Sequence, residues 1–303
     1  MHQNSEDPTA TDVSAVGVPG VAGVTGSGGA HGGFPSSGDF DPWPDCSVHL
    51  EWGATGAALA AERGDVVVVV DVLSFSTTLS IAVSREFTCL VYSGPEIESL
   101  GGPAIAAIRL GARPLSRQRR VTEPGQVSLS PASLLEAEPG QRVVFTSLNG
   151  ATVVSAASKA PALLVGSPRN ATACATVAAH LMTNVRAGRV TVVPCGERWS
   201  SVEPGVGGTR PSIEDLLGAG AICARLAALG YSLSAEARLA AAAWTTPTAV
   251  ADVAHCVSAR ELRAAGFAAD VDLALEVDAD VKVPVRLAGE QTGRVFVGMV
   301  AVD

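Results

Sequence analysis

The 303-residue chain is 47% hydrophobic, 17% charged and only 4% aromatic, with a formal net charge of −9. Such a chain has ample material for a core, and its scarcity of aromatics points to close helix–sheet packing instead of an aromatic-rich all-β core. The acidic balance argues against nucleic acid as a partner, although a few well-placed Arg, backbone N–H groups or a metal can still hold a small anion.

Residues 1–42 include "GVPGVAGVTGSGGAHGGFPSSG", which is Gly/Ser/Pro-rich and lacks any strand or helix periodicity. A segment of this kind buries too little surface to offset its ordering, and it is expected to be a disordered tail. No Lys or Arg precedes Arg63, so no basic leader is expected. No apolar run approaches the ~20 residues of a membrane span. The six cysteines, at 46, 89, 174, 195, 223 and 256, contain no C-x-x-C pair. That scatter suits reduced thiols in a cytoplasmic protein without membrane contact.

From Val48 onward strands and helices alternate. "VHLEWG" reads as a short strand, "ATGAALAAERG" as a helix closed by Gly64, and "DVVVVVD" as a strand buried on both faces. "STTLSIAV" starts a helix, "FTCLVYS" is another strand, and "EIESLGGPAIAAIRLG" is a broken helical stretch. "RVVFTS", "ALLVG" and "RVTVVPC" are further strands, each followed by a helical segment: 150–159, 170–187 and 212–229. This alternation predicts βαβ units and an α/β fold with a mostly parallel sheet. More helices are expected over 234–266. "VKVPVRL" and "GRVFVGMV" predict a C-terminal hairpin at the sheet edge. The folded region is set at 43–300, with a subdomain break expected near 125–165.

Ligands of parallel sheets bind outside the carboxyl ends of the strands. Those ends carry Asp71 with Ser74, Ser76 and Thr77; Asn149 and Gly150; Arg169; and Cys195, Gly196, Glu197 and Arg198. Each group has a plainer reading. Ser and Thr after Asp71 are ordinary helix-start residues, and Asn-Gly is an ordinary turn. In "SIEDLLGAGAI", Ser212 and Asp215 have capping-box spacing, and Gly220 permits close packing. The adjacent acids Glu214 and Asp215 also sit where Mg²⁺ would find oxygen ligands. A C-x₅-R phosphate loop fails at Ser201, and a D-x-D start fails at Leu73.

Taken together and in this order, "VVVVDVLSFSTTLSIAV", "LSLSPASL", "TSLNGATV", "GSPRNATA", "PCGERW", "SIEDLLGAGAI" and "SARELRAAGFAADVDLALEVDADVKVPV" resemble the ComB family of 2-phosphosulfolactate phosphatases. The resemblance runs from about residue 48 to 300. It implies a ComB-like fold of two α/β subdomains and a Mg²⁺-dependent hydrolase of a small anionic phosphorylated substrate. That reaction converts 2-phospho-3-sulfolactate to 3-sulfolactate and phosphate, a step on the way to coenzyme M. A homo-oligomer is implied as well. The resemblance implies Asp71, Asn149, Gly150, Glu214 and Asp215 as site residues, with Cys195, Gly196 and Glu197 behind them; Asp71, Asn149, Cys195 and Glu197 are expected to be catalytic, and Mg²⁺ is expected on Asp71 together with Glu214 or Asp215. Ser74, Ser76, Thr77, Gly150, Arg169, Gly196 and Arg198 are expected to contact substrate. The family pattern has Arg directly after "DVL", where this chain has Ser74. Arg117, Arg169 or Arg198 is therefore expected to compensate from another loop. A degenerate member that binds a phosphorylated metabolite without hydrolysing it is the alternative.

Overall fold

The computed structural model describes residues 45–116, 118–120, 126–185, 187–199, 208–287 and 295–300, so the expected tail over 1–42 and Arg117 lie outside the described residues. The first half runs β1 (Val48–Leu50), α1 (Gly53–Glu62), β2 (Val66–Val70), a π-helical turn (Val72–Ser76), α2 (Thr77–Ser84), β3 (Thr88–Val91), α3 (Gly94–Ser99), α4 (Pro103–Arg109), β4 (Arg113–Pro114), α5 (Pro131–Leu135) and β5 (Arg142–Phe145). The predicted break in the helical stretch falls between α3 and α4. There Gly101 and Gly102 adopt φ of 96° and 90°, a conformation that residues with a Cβ rarely accept.

The second half continues with α6 (Gly150–Ala156), β6 (Ala162–Gly166), a 3₁₀ turn (Pro168–Asn170), α7 (Ala171–Asn184), β7 (Val190–Pro194), β8 (Glu197–Arg198), β9 (Thr209–Arg210) and α8 (Ile213–Ala228). Four helices follow, α9 (Ala235–Trp244), α10 (Ala249–His255), α11 (Val257–Ala264) and α12 (Ala268–Ala274), and then β10 (Lys282–Leu287) and β11 (Val295–Val300).

Among the described residues nine strands form one sheet in the order β1-β7-β2-β6-β10-β11-β3-β5-β4. β1, β7, β2 and β6 are mutually parallel, as are β3, β5 and β4. The C-terminal hairpin corrects the sequence expectation: it lies inside the sheet, antiparallel to β6 on one side and to β3 on the other. Two β runs following the last helices read as an edge pair, and Pro284, which cannot donate to a ladder, is accommodated inside the sheet. The pairing with β6 begins at Val285, so Pro284 sits where its paired neighbour is Gly298 of β11.

The five valines of β2 are all fully buried because both faces of the sheet are covered. Val66, Val68 and Val70 pack with α7, α8 and α9, whereas Val67 and Val69 pack with α1, α2 and α6. Each contributes roughly 1.5–3 kcal/mol of burial. α8 and α9 approach closely at Gly220, where an added Cβ would lie 2.1 Å from the Ala240 carbonyl oxygen. Among the described residues no helix is long and apolar enough to cross a membrane.

Candidate active site

β2 delivers Asp71 to the carboxyl end of the sheet, and the hydroxyls that follow it shape the turn. The Asp71 N–H donates to Ser76 Oγ (2.8 Å), Thr77 Oγ1 donates to the Val72 carbonyl (2.8 Å), and Thr78 Oγ1 donates to the Ser74 carbonyl (2.7 Å). Ser76 and Thr77 are fully buried. Their expected contact with substrate is corrected accordingly: these hydroxyls satisfy backbone groups that a tight turn would otherwise leave unpaired.

Two further strand ends meet this turn. The α6 N-terminus brings the Gly150 N–H to Asp71 Oδ2 (2.8 Å). Only glycine fits there, since a Cβ would stand 2.2 Å from the Phe75 ring. β7 ends at Cys195-Gly196, and the Gly196 N–H donates to Asp215 Oδ2 (2.9 Å). The other Asp215 oxygen, Oδ1, accepts the Val72 N–H (2.8 Å). Asp215 therefore fastens the loop after β2 to the loop after β7 from the first turn of α8, which packs onto Val70 and Val72 at Gly218.

The result is a cleft of about 220 Å³ lined by Asp71, Ser74, Arg119, Ser147, Asn149 and Glu197, with Leu73, Phe75, Leu129 and Leu148 as its apolar wall. Asn149 Nδ2 donates to Glu197 Oε2 (2.9 Å) and fixes that carboxylate. A neighbouring chamber of about 300 Å³ shares Leu148, Asn149 and Glu197 and adds Arg198, Thr152 and Thr209. Burial foremost, and then the Glu197 charge, push the Asp71 carboxyl up to about 7, against the N–H groups of Gly150 and Phe75 and the Arg119 charge. Burial also raises Glu197, with Asn149 opposing it. Asp215 lies well above the carboxylate range through burial and the charges of Asp71 and Glu214.

Other expected site residues are placed differently. Burial, reinforced by Asp71, Asp215 and Glu197, pushes the Cys195 thiol well above its ordinary value, which denies it the thiolate that a nucleophile requires. Gly150 and Gly196 direct their N–H groups to carboxylates of the chain and not toward a ligand. Arg169 is buried in a two-bond ion pair with Asp280 (2.8 and 3.2 Å) and also bonds Glu276, away from the cleft. Arg198 donates to the Leu148 carbonyl (2.7 Å) at the rim of the second chamber. Glu214 lines a separate cavity. Of the two acids expected beside Asp71 on a cation, Glu214 faces this other cavity and Asp215 has both oxygens engaged by backbone N–H groups. Among the described residues no group of three or more His, Cys, Asp and Glu is arranged to hold a metal.

Arg119 is the residue that sequence reading missed. Its Nη1 donates to Ser74 Oγ (2.6 Å) and to Asp270 Oδ2 (3.1 Å), and Asp270, itself 1% exposed, accepts Ser130 Oγ through its other oxygen. The guanidinium is thus delivered to Ser74, the position at which the resemblance implied an Arg. The run "SRQRR" was the available signal, but nothing local in it singles out one arginine.

No curated protein matches the chain. The family model of 2-phosphosulpholactate phosphatase matches residues 56–289, a span that carries Asp71, Arg119, Asn149 and Glu197 together with the clamp residue Asp215. The chain belongs to the 2-phosphosulpholactate phosphatase family, a family of phosphoric monoester hydrolases.

Proposed function

We propose that the protein hydrolyses a small phosphorylated 2-hydroxy acid, by family 2-phospho-3-sulfolactate, in the cleft between Asp71, Glu197 and Arg119. The observation carrying this reading is the convergence of two carboxylates and one guanidinium, from three separate loops, on a single small cavity. Arg119 is held by Asp270 and Ser74 and presents a planar donor to a phosphate, sulfonate or carboxylate. Glu197, oriented by Asn149, takes a proton from water on Oε1 or Oε2 as the water oxygen bonds to phosphorus. The ester P–O bond breaks, and the proton taken up by Glu197 returns through solvent to the leaving oxygen, which becomes the 2-hydroxyl. Leu73, Phe75, Leu129 and Leu148 limit bulk water around this exchange.

A divalent cation fits the donor chemistry. Asp71 and Asn149 offer hard oxygens, and Mg²⁺ commonly binds through one or two carboxylates with substrate phosphate and water completing its shell. When bound, such a cation neutralises charge on the transferring phosphoryl group. The reading is tested by phosphate release from a panel of phosphorylated 2-hydroxy acids, including 2-phospho-3-sulfolactate, in Mg²⁺ and in EDTA. Mg²⁺-dependent turnover that is lost in Asp71→Ala is the expected result; full turnover by that variant overturns it.

A further inference from the structure

Separate from the cleft lies a larger cavity, about 660 Å³, which the reaction described above does not use. Its volume lies within the ~300–1,000 Å³ typical of small-molecule sites. Two structural features are shared between the spaces. In the β8–β9 ribbon Glu197 pairs with Arg210; Glu197 lines the cleft and Arg210 lines the cavity. In α8, Asp215 clamps the catalytic loops while its neighbour Glu214 faces the cavity.

The cavity holds opposed charges in an apolar setting. Glu214 is only 4% exposed, and the Cys256 thiol stands beside it. Arg210 has a buried Nε with no hydrogen-bond acceptor. A buried donor of this kind costs free energy until an acceptor arrives. Leu216, Leu217 and Ala243 form the walls, and Ile213 and Val257, each about half exposed at 52% and 53%, add apolar surface that an occupant would cover. Asp252 adds a second carboxylate among the lining residues, with His255 near it in sequence.

We propose that this cavity is a second ligand site for a zwitterion with a bulky apolar body, of the size of an aromatic amino acid. Arg210 takes the ligand carboxylate, Glu214 takes its ammonium, and Leu216, Leu217, Ala243 and Val257 pack against its body. The test is direct binding to the full chain and does not depend on phosphatase activity. Isothermal titration compares L-tryptophan with tryptamine, which lacks the carboxylate, and indole-3-propionate, which lacks the ammonium. L-Tryptophan is expected to bind saturably, and each truncated analogue at least ten-fold more weakly. Glu214→Gln is expected to weaken L-tryptophan about ten-fold. Val257→Trp fills the cavity from a half-exposed position, where folding tolerates the change, and is expected to abolish binding with circular dichroism unaltered. Absence of saturable L-tryptophan binding, equal binding of either analogue, or undiminished binding by folded Val257→Trp overturns the proposal.

Discussion

Asp215→Asn separates a structural clamp from a metal ligand. Asp215 is 4% exposed and accepts the Val72 N–H at 2.8 Å and the Gly196 N–H at 2.9 Å, one on each oxygen. Asparagine retains one acceptor and turns an NH₂ donor toward the other N–H. Losing a hydrogen bond to a charged acceptor costs about 1.5–3 kcal/mol. Part of that is returned, because the carboxylate is disfavoured by burial and by Asp71 and Glu214. A net loss of about 1–2 kcal/mol should lower Tm by roughly 2–8 °C. Opposed donors also push apart the loops that carry Asp71 and Glu197, and a displacement on the order of 1 Å can lower turnover about 100-fold. The assay is phosphate release across a Mg²⁺ titration, with Tm measured in parallel. The expected outcome is a lower kcat and Tm with the Mg²⁺ half-saturation shifted less than about three-fold, because both Asp215 oxygens are engaged by backbone N–H groups. A ten-fold rise in half-saturation at unchanged Tm would refute the clamp and make Asp215 a ligand.

Four further outcomes follow from the geometry. Arg119→Gln should raise KM for the phosphorylated substrate by roughly 10–100-fold, equivalent to the ~1.5–3 kcal/mol of a charged hydrogen bond, and steady-state kinetics on the preferred panel compound measures this. Arg169→Ala leaves the Asp280 carboxylate buried without its partner; a cost of about 3–5 kcal/mol should lower Tm by roughly 10 °C in a thermal melt, with KM unchanged in whatever folds. Gly220→Ala drives a methyl to within 2.1 Å of the Ala240 carbonyl, so α9 must shift, and a loss of about 1–3 kcal/mol should appear in urea unfolding. In EDTA, Tm should fall as pH rises from about 4 to 8. The folded protein holds a proton on Asp71 up to about 7 that the unfolded chain releases near 4, so stability is lost across that window; Asp71→Asn should flatten the slope, and an unchanged slope refutes the shift.

Local pattern alone determined much of the fold. The uninterrupted valines of β2 required cover on both faces, and they have it on α7, α8 and α9 to one side and α1, α2 and α6 to the other. Gly220 announced a close helix approach, and the paired glycines after Ser99 broke one helical stretch into α3 and α4. The strand ends also carried Asp71, Asn149 and Glu197, because in a parallel sheet the loops at one end gather wherever the crossovers lead. The chemistry at those positions could be read from residue type, but its assignment could not. Ser76 and Thr77 looked like ligand contacts, yet a tight turn needs its backbone groups paired, and they pair them.

Long-range pairing settled what remained. The bond from the Val72 N–H to Asp215 spans 143 residues, and the Arg119–Asp270 pair spans 151. No spacing rule reaches that far, so a clamp resembled a metal ligand, and the arginine beside Ser74 stayed hidden among its neighbours. The hairpin's place followed the same logic. β10 and β11 fill the sheet interior because β6 and β3 each present an edge to an antiparallel partner, and those edges belong to two separate parallel blocks.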